Sequence, residues 1–451
     1  MPRRDELPTT GSRYLSAATA GAAVLLGAFA ATQAVAQEPS LPAAYNHTLA
    51  HPTDYDFAFA LARRASDAND PELAINVLER MVAYNPKLNR AKYEAGVAYF
   101  RLGSYEMAVQ YFQQVLADTA ADADLRSRAD AYLSAAQRQR LQSRWSVYAQ
   151  TGVRYQSNAG SVPDGGNILV QGTPFAVTGT SANKGAWSAF GLLSVGHDYD
   201  FQNQRGDVFE TRFTGFASEH FKLNAYNIGF AELSLGPKLG LDIAGMPGAS
   251  IKPYVVGGAA SVGNSYYTSD VGAGVVAHLP VSQTVSIDPG FDWRRADVHL
   301  LANAPSTLLA TGNYYTTGAS VSWQLASNIV LQVGGSYHQG VGQRIWDRFD
   351  GATAETSLKI DFAPPIDSIP RRWSIAPFVK YSTYNFSNPN PFVDPLNARH
   401  DRFYAVGGTL DAAITANFGI GIGVQYAKTA SNISNYKVKD VSVSVGPTFR
   451  Y

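Results

Sequence analysis

The chain has 451 residues, with 36 basic and 36 acidic side chains, so its formal net charge is zero and its pI is about 7.1. That balance provides no broad basic surface and argues against nucleic acid as a partner. There is no cysteine, which excludes disulfides, thiolate metal sites and thiol catalysis. Charged residues make up only 16% of the chain, against roughly 25% in average soluble domains.

Residues 1–36 read as a secretory signal. Arg3, Arg4 and Arg13 precede an apolar run from Ala17 to Ala31, and Ala34-Val35-Ala36 has the small-x-small form of a cleavage site. The mature chain is then expected to start at Gln37. A retained membrane anchor is the rival reading, but the run is short and poor in large side chains. Beyond it, no apolar stretch approaches the roughly 18 residues of a spanning helix, so a membrane protein would have to be a closed barrel.

Residues 55 to about 140 read as helices, within a periplasmic repeat domain bounded at 37–142. Alanine, leucine, glutamate and arginine dominate, and the apolar spacing is helical. Gly96, Tyr99, Gly103, Tyr105, Ala108 and Phe112 match the small and aromatic positions of a tetratricopeptide repeat. A weaker copy lies about 34 residues earlier, at Ala74, Leu78 and Met81, with Pro86 closing it. The segment Leu125–Arg138 reads as a capping helix. Such repeats bind peptides or proteins in a concave groove. The register puts Arg90, Tyr93, Val97, Phe100 and Arg101 on the first helix of the clearer repeat as candidate groove residues, with inter-repeat core as the plainer role for Val97 and Phe100.

From Trp145 onward, alternation replaces the helical pattern, and residues 143–451 read as a transmembrane antiparallel barrel. Phe418, Ile420, Ile422, Val424 and Tyr426 alternate with Gly419, Gly421, Gly423 and Gln425, and similar segments recur. About fourteen are expected, starting near Trp145, Ala186, Val208, Asn227, Ser250, Tyr266, Thr284, Thr311, Asn328, Phe349, Arg372, Arg402, Phe418 and Lys437. Long connections are expected at Asn158–Gly185, Val298–Ala310 and Asn385–Asp401 on the outer side. Asp198–Asp207 and Gly236–Ala249 are longer than turns on the periplasmic side should be. In the last segment Val441, Val443, Val445, Pro447, Phe449 and Tyr451 share one face. That ending resembles the C-terminal signal of bacterial outer-membrane barrels. It implies two partners: outer-membrane lipid, and the barrel-assembly machinery through the strand ending at Tyr451. A soluble two-sheet sandwich is the rival fold, but about 300 residues of continuous strand is long for one.

No catalytic, cofactor or metal constellation stands out. His-Glu-x-x-His and Gly-x-Ser-x-Gly are both absent. Asp198-Tyr199-Asp200 mimics the start of a calcium loop without its glycine and glutamate, and reads as a solvated turn. His338, on a polar face with Gln332 and Ser336, reads as a lumen hydrogen bond rather than half of a nucleophile pair. Arg154, Arg212, Lys380 and Arg450, with Glu210, Glu232 and Asp440, fall on polar faces, where they either pair across strands or select solutes.

The sum is an α + β multidomain chain: a short tetratricopeptide solenoid followed by a barrel of about 14 strands. With Trp145-Ser146 and Gly152-Val153-Arg154-Tyr155-Gln156-Ser157-Asn158 at the junction, it resembles the surface lipoprotein assembly modifiers. That resemblance implies a non-enzymatic outer-membrane protein. Its periplasmic repeat domain would recruit a protein client, and the client would be passed to or displayed at the cell surface. The alternative is a passive porin or polysaccharide-export channel whose repeats contact a periplasmic partner.

Overall fold

A computed structural model describes residues 40–68, 70–177, 185–203, 205–243, 245–299, 310–366 and 371–451. The secretory signal expected over residues 1–36 lies outside them.

Among the described residues six α-helices come first: α1 (Leu41–Ala50), α2 (Tyr55–Asp67), α3 (Pro71–Tyr84), α4 (Asn89–Arg101), α5 (Tyr105–Ala117) and α6 (Ala123–Gln139). Local chemistry sets their ends. The Asp54 and Asp70 carboxylates accept from the Phe57 and Leu73 amides at 3.2 and 2.9 Å, satisfying first-turn donors. Helix α4 stops at Gly103, whose φ of +81° suits a residue without a side chain. The Gly103 and Ser104 amides turn back to the Phe100 and Tyr99 carbonyls, a Schellman closure.

Pairing of the helices follows residue size. A Cβ at Gly96 would stand 2.7 Å from the Phe112 ring, so only glycine lets α4 and α5 approach this closely. Phe112 is fully buried there, with Ala108, Val115 and Ala129 around it. Ala62, Ala65, Ala74 and Leu78 do the same between α2 and α3. Tyr99 and Tyr111 stack at 5.6 Å, and both donate to Glu79 Oε1, at 2.6 and 3.0 Å, bonding the two repeats together.

Sixteen strands follow among the described residues: β1 (Ser143–Gln156), β2 (Asn167–Val170), β3 (Thr173–Ala176), β4 (Ala186–Asp200), β5 (Val208–His220), β6 (Ile228–Gly240), β7 (Ser250–Val262), β8 (Ser265–Pro280), β9 (Val285–Val298), β10 (Gly312–Ala326), β11 (Ile329–Gly342), β12 (Phe349–Phe362), β13 (Trp373–Pro389), β14 (Ala398–Ala413), β15 (Phe418–Ser431) and β16 (Val438–Arg450). Fourteen form a closed antiparallel barrel, and β2 and β3 form a separate hairpin. The barrel closes by pairing β1 with β16, from Tyr148 opposite Arg450 to Gln156 opposite Ser442. At the seam, the Val147 and Tyr451 main chains exchange both hydrogen bonds, at 2.9 and 3.0 Å. A closed ring leaves no edge, and its even strand number brings the C-terminus to the same rim as the helices.

Three connections are shorter than expected because pairing runs further. Strand β13 continues to Pro389, opposite Ala398, so the connection there is 390–397. Strand β14 therefore begins before Arg402. Strands β4 and β6 run to Asp200 and Gly240, leaving 201–207 and 241–249. Asp198 and Asp200 are thus strand residues ion-paired to Arg212 and Arg144, at 2.5 and 3.0 Å, and not a solvated turn. The β2–β3 hairpin inside 158–185 has no counterpart in the expected pattern. It turns at Gln171 and Gly172, both at positive φ.

The barrel is apolar outside and polar inside. Outward aliphatic residues such as Val153, Leu193, Val255, Val379, Ile420 and Val424 are exposed. Aromatic residues gather toward both ends of the apolar band, with Trp145, Trp323 and Phe418 at the helical end and the Tyr155–Trp187 pair at the other, while Tyr381 and Tyr404 pair near mid-strand. An apolar band between aromatic girdles is the exterior of an outer-membrane-type barrel.

Candidate functional site

Helices α2 and α4 line a concave groove of about 750 Å³. From α4 it takes Arg90, Glu94, Val97 and Arg101, a stripe at helical spacing. One repeat of 34 residues earlier, Asp56, Ala60, Arg63 and Asp67 of α2 line it as well. Arg90 lies 4.5 Å over the Phe59 ring, a cation–π contact that holds its guanidinium across the groove. Arg90 and Arg101 are exposed, while Val97 is buried and forms the floor.

Of the five residues expected in the groove, Arg90, Val97 and Arg101 line it. Tyr93 and Phe100 do not. Tyr93 packs 6.0 Å from Phe112 and 5.9 Å from Tyr132, and burial pushes its hydroxyl up to about 12. Phe100 meets Tyr105 and Tyr132 edge-on at 5.4 and 5.6 Å. Both sit on the stripe of α4 that faces α6, one helical step from the groove stripe. Glu94, and Phe59 and Arg63 on α2, were missed. The same 34-residue shift, applied to the groove stripe of α4, would have found Arg63.

The helical domain is tied to the barrel rim. Arg144 on β1 donates to the Gln139 and Leu141 carbonyls at the end of α6, at 3.2 and 3.5 Å, and pairs with Asp200 of β4. Arg140 pairs with Glu106 of α5 at 2.9 Å.

At the opposite mouth, the β2–β3 hairpin leans against neighbouring loops. Leu169 and Asn435 exchange two hydrogen bonds, at 2.7 and 3.0 Å, and the Gln171 and Gly172 amides bond the Phe392 and Val393 carbonyls.

Between the rims, the polar faces carry ion pairs. Arg212 meets Asp198 and Glu210, Lys252 meets Glu210, Lys380 meets Glu355, and Arg450 meets Asp411. Asp440 accepts from Ser157 and from the Asn158 amide. His338 bonds the hydroxyls of Ser336, Thr316 and Thr353, at 2.9, 3.2 and 3.1 Å, as expected of a lumen histidine.

Residues 59–125 match the tetratricopeptide repeat family model. The helices are therefore a repeat domain, joined to a fourteen-stranded barrel. Three solved structures resemble the barrel region at low identity. An outer membrane channel from Pseudomonas putida F1 is 8% identical, with 68% of this chain and 95% of that chain covered and a TM-score of 0.36. An anion-selective porin from Comamonas acidovorans is 8% identical over 68% and 99%, with a TM-score of 0.33. A bacterial polysaccharide outer membrane secretin is 6% identical over 67% and 98%, at 0.32. These scores are too low to carry over any property, and the barrel rests on its own strand pairing. No curated protein matches the chain significantly.

Proposed function

We propose that this is a non-enzymatic protein of the bacterial outer membrane whose periplasmic repeat domain recruits a protein client for passage to, or display at, the cell surface. The observation that carries this reading is the groove of α2 and α4, held beside the barrel rim by Arg144. A groove with charges of both signs on both repeats and an apolar floor suits an extended peptide segment, which contributes apolar contacts and charged groups together. The rim tie keeps a captured segment close to the barrel, which raises its effective concentration there. The surface lipoprotein assembly modifiers, which the chain resembles in domain order and at Trp145–Asn158, combine the same two parts. Outside lipid contacts the apolar band, and the β16 strand ending at Tyr451 is the segment offered to the barrel-assembly machinery.

A passive channel is the second reading. It is favoured by the polar, ion-paired faces of the lumen wall. The two separate in one experiment: deletion of residues 40–142 should remove a protein from the cell surface under the first reading. Under the second it should leave the surface unchanged and a porin-like conductance intact.

A further inference from the structure

The lumen wall carries a feature that neither reading uses. Phe190 of β4, Phe216 of β5 and Phe230 of β6 share the inward parity of Asp198, Glu210 and Glu232. Their rings form a row, at 6.5 Å from Phe190 to Phe216 and 5.9 Å from Phe216 to Phe230, with planes 27° and 29° apart. Phe230 is 41% exposed. Apolar rings facing a polar lumen gain nothing from lipid, so burial against a solute is where their contact energy lies.

An unbalanced charge cluster adjoins the row. Glu232 is the next inward residue after Phe230 on β6. Its carboxylate takes a 2.5 Å bond from Arg294 of β9, which also reaches Asp270 at 3.2 Å and Asp292 at 3.0 Å. Tyr254 donates to Asp292 at 2.9 Å. Glycines open the path across the intervening strands. A Cβ at Gly258 would lie 2.8 Å from the Asp270 carboxylate, and one at Gly272 would lie 2.9 Å from Arg294 Cγ. Three carboxylates thus surround one guanidinium, and among the described residues no other Lys or Arg pairs with them. Two negative charges remain in excess beside partly exposed aromatic rings. Ring faces and carboxylates both attract cations, whereas a neutral solute gains only the rings and an anion is repelled.

We propose that the row Phe190–Phe216–Phe230, with the carboxylates of Glu232 and Asp270, is a lumenal site for an organic cation bearing a guanidinium or ammonium group. Arg294, already seated among the carboxylates, shows within the chain the chemistry the site accepts. The proposal is independent of whether the repeat domain recruits a client.

The test is calorimetric titration of the full-length protein in detergent with butylguanidinium, and with butylurea as its neutral counterpart of the same shape. Wild type should bind butylguanidinium saturably and butylurea at least about tenfold more weakly. The Phe216→Ala/Phe230→Ala and Glu232→Gln/Asp270→Asn variants should each bind the cation about tenfold more weakly, with heat-modifiable gel mobility showing that the barrel is intact. If one variant does not assemble, the other variant and the wild-type contrast between the two solutes still decide. Absence of saturable binding by wild type, equal binding of butylurea, or unchanged affinity in an assembled variant would each overturn the site.

Discussion

Phe112 and Val424 are both large apolar side chains on regular elements, yet Phe112 is fully buried and Val424 is 50% exposed. In the helical domain, apolar side chains turn inward, and cohesion comes from close packing such as Gly96 against Phe112. In the barrel most turn outward to the apolar band, the inside is mainly polar, and cohesion comes from main-chain pairing around a closed ring. The same substitution chemistry should therefore have opposite consequences in the two regions. Backbone closure decides the barrel, and side-chain volume decides the repeats.

The largest effect follows from opening the ring. Deleting Phe449, Arg450 and Tyr451 removes the reciprocal Val147–Tyr451 bonds at the seam and the 5.2 Å contact between Phe449 and Phe418 of β15. Loss of heat-modifiable barrel from the outer-membrane fraction is expected, while residues 37–142 expressed alone should stay helical by circular dichroism. Assembly at the wild-type level would show that the terminal strand is dispensable.

Next in size is Phe112→Ala. Emptying this fully buried site should cost the isolated repeat domain about 3–5 kcal/mol, enough to unfold a domain of two repeats. Val424→Ala on the lipid face should leave barrel assembly unchanged. Equal effects of the two in denaturant melts and heat-modifiability assays would erase the contrast between the regions.

A smaller effect concerns the tie between them. Arg144→Ala removes a partly buried ion pair and two bonds to the end of α6. Both domains should remain folded, but the linker at 140–142 should be cleaved several-fold faster by protease. Unchanged cleavage would mean that Arg144 does not hold the domains together.

The smallest is an alkaline effect on the repeats. Burial, and for Tyr99 the bond to Glu79, raise the hydroxyls of Tyr93 and Tyr99 from 10.0 to about 12. A raised folded value favours the folded state while the phenol is neutral. That contribution is complete below pH 10 and is lost as the pH rises toward 12. Thermal melts of the isolated domain should fall across this window and stay level between pH 7 and 9. A steady decline from pH 7 would point to other groups.

How much of this was legible in the sequence follows from the same contrast. Period-2 alternation is forced wherever lipid meets one face and a polar lumen the other, so almost all strand starts fell within about two residues of the pairing. Prolines and polar rim residues hid the strand ends. Asn388-Pro389-Asn390-Pro391 reads as loop, yet Pro389 still pairs, because the rim asks little of its missing amide. The β2–β3 hairpin was hidden by its Gln-Gly turn and by Pro174 within its second strand. In the repeats, Gly96 and Phe112 were readable because their sizes are complementary. Tyr93 was misplaced because one helical step separates the groove stripe from the α6-facing stripe, and composition does not distinguish them.

The central claim is that the groove recruits a client, and Arg63, Arg90 and Arg101 are where it can be cut without touching the fold. Surface-shaving proteomics should compare cells carrying wild type with cells carrying Arg63→Ala/Arg90→Ala/Arg101→Ala, at matched amounts of heat-modifiable barrel. The account predicts that at least one surface protein is lost or strongly reduced in the variant. An unchanged surface proteome, with wild-type protein giving large porin-like conductance in planar bilayers, would contradict it.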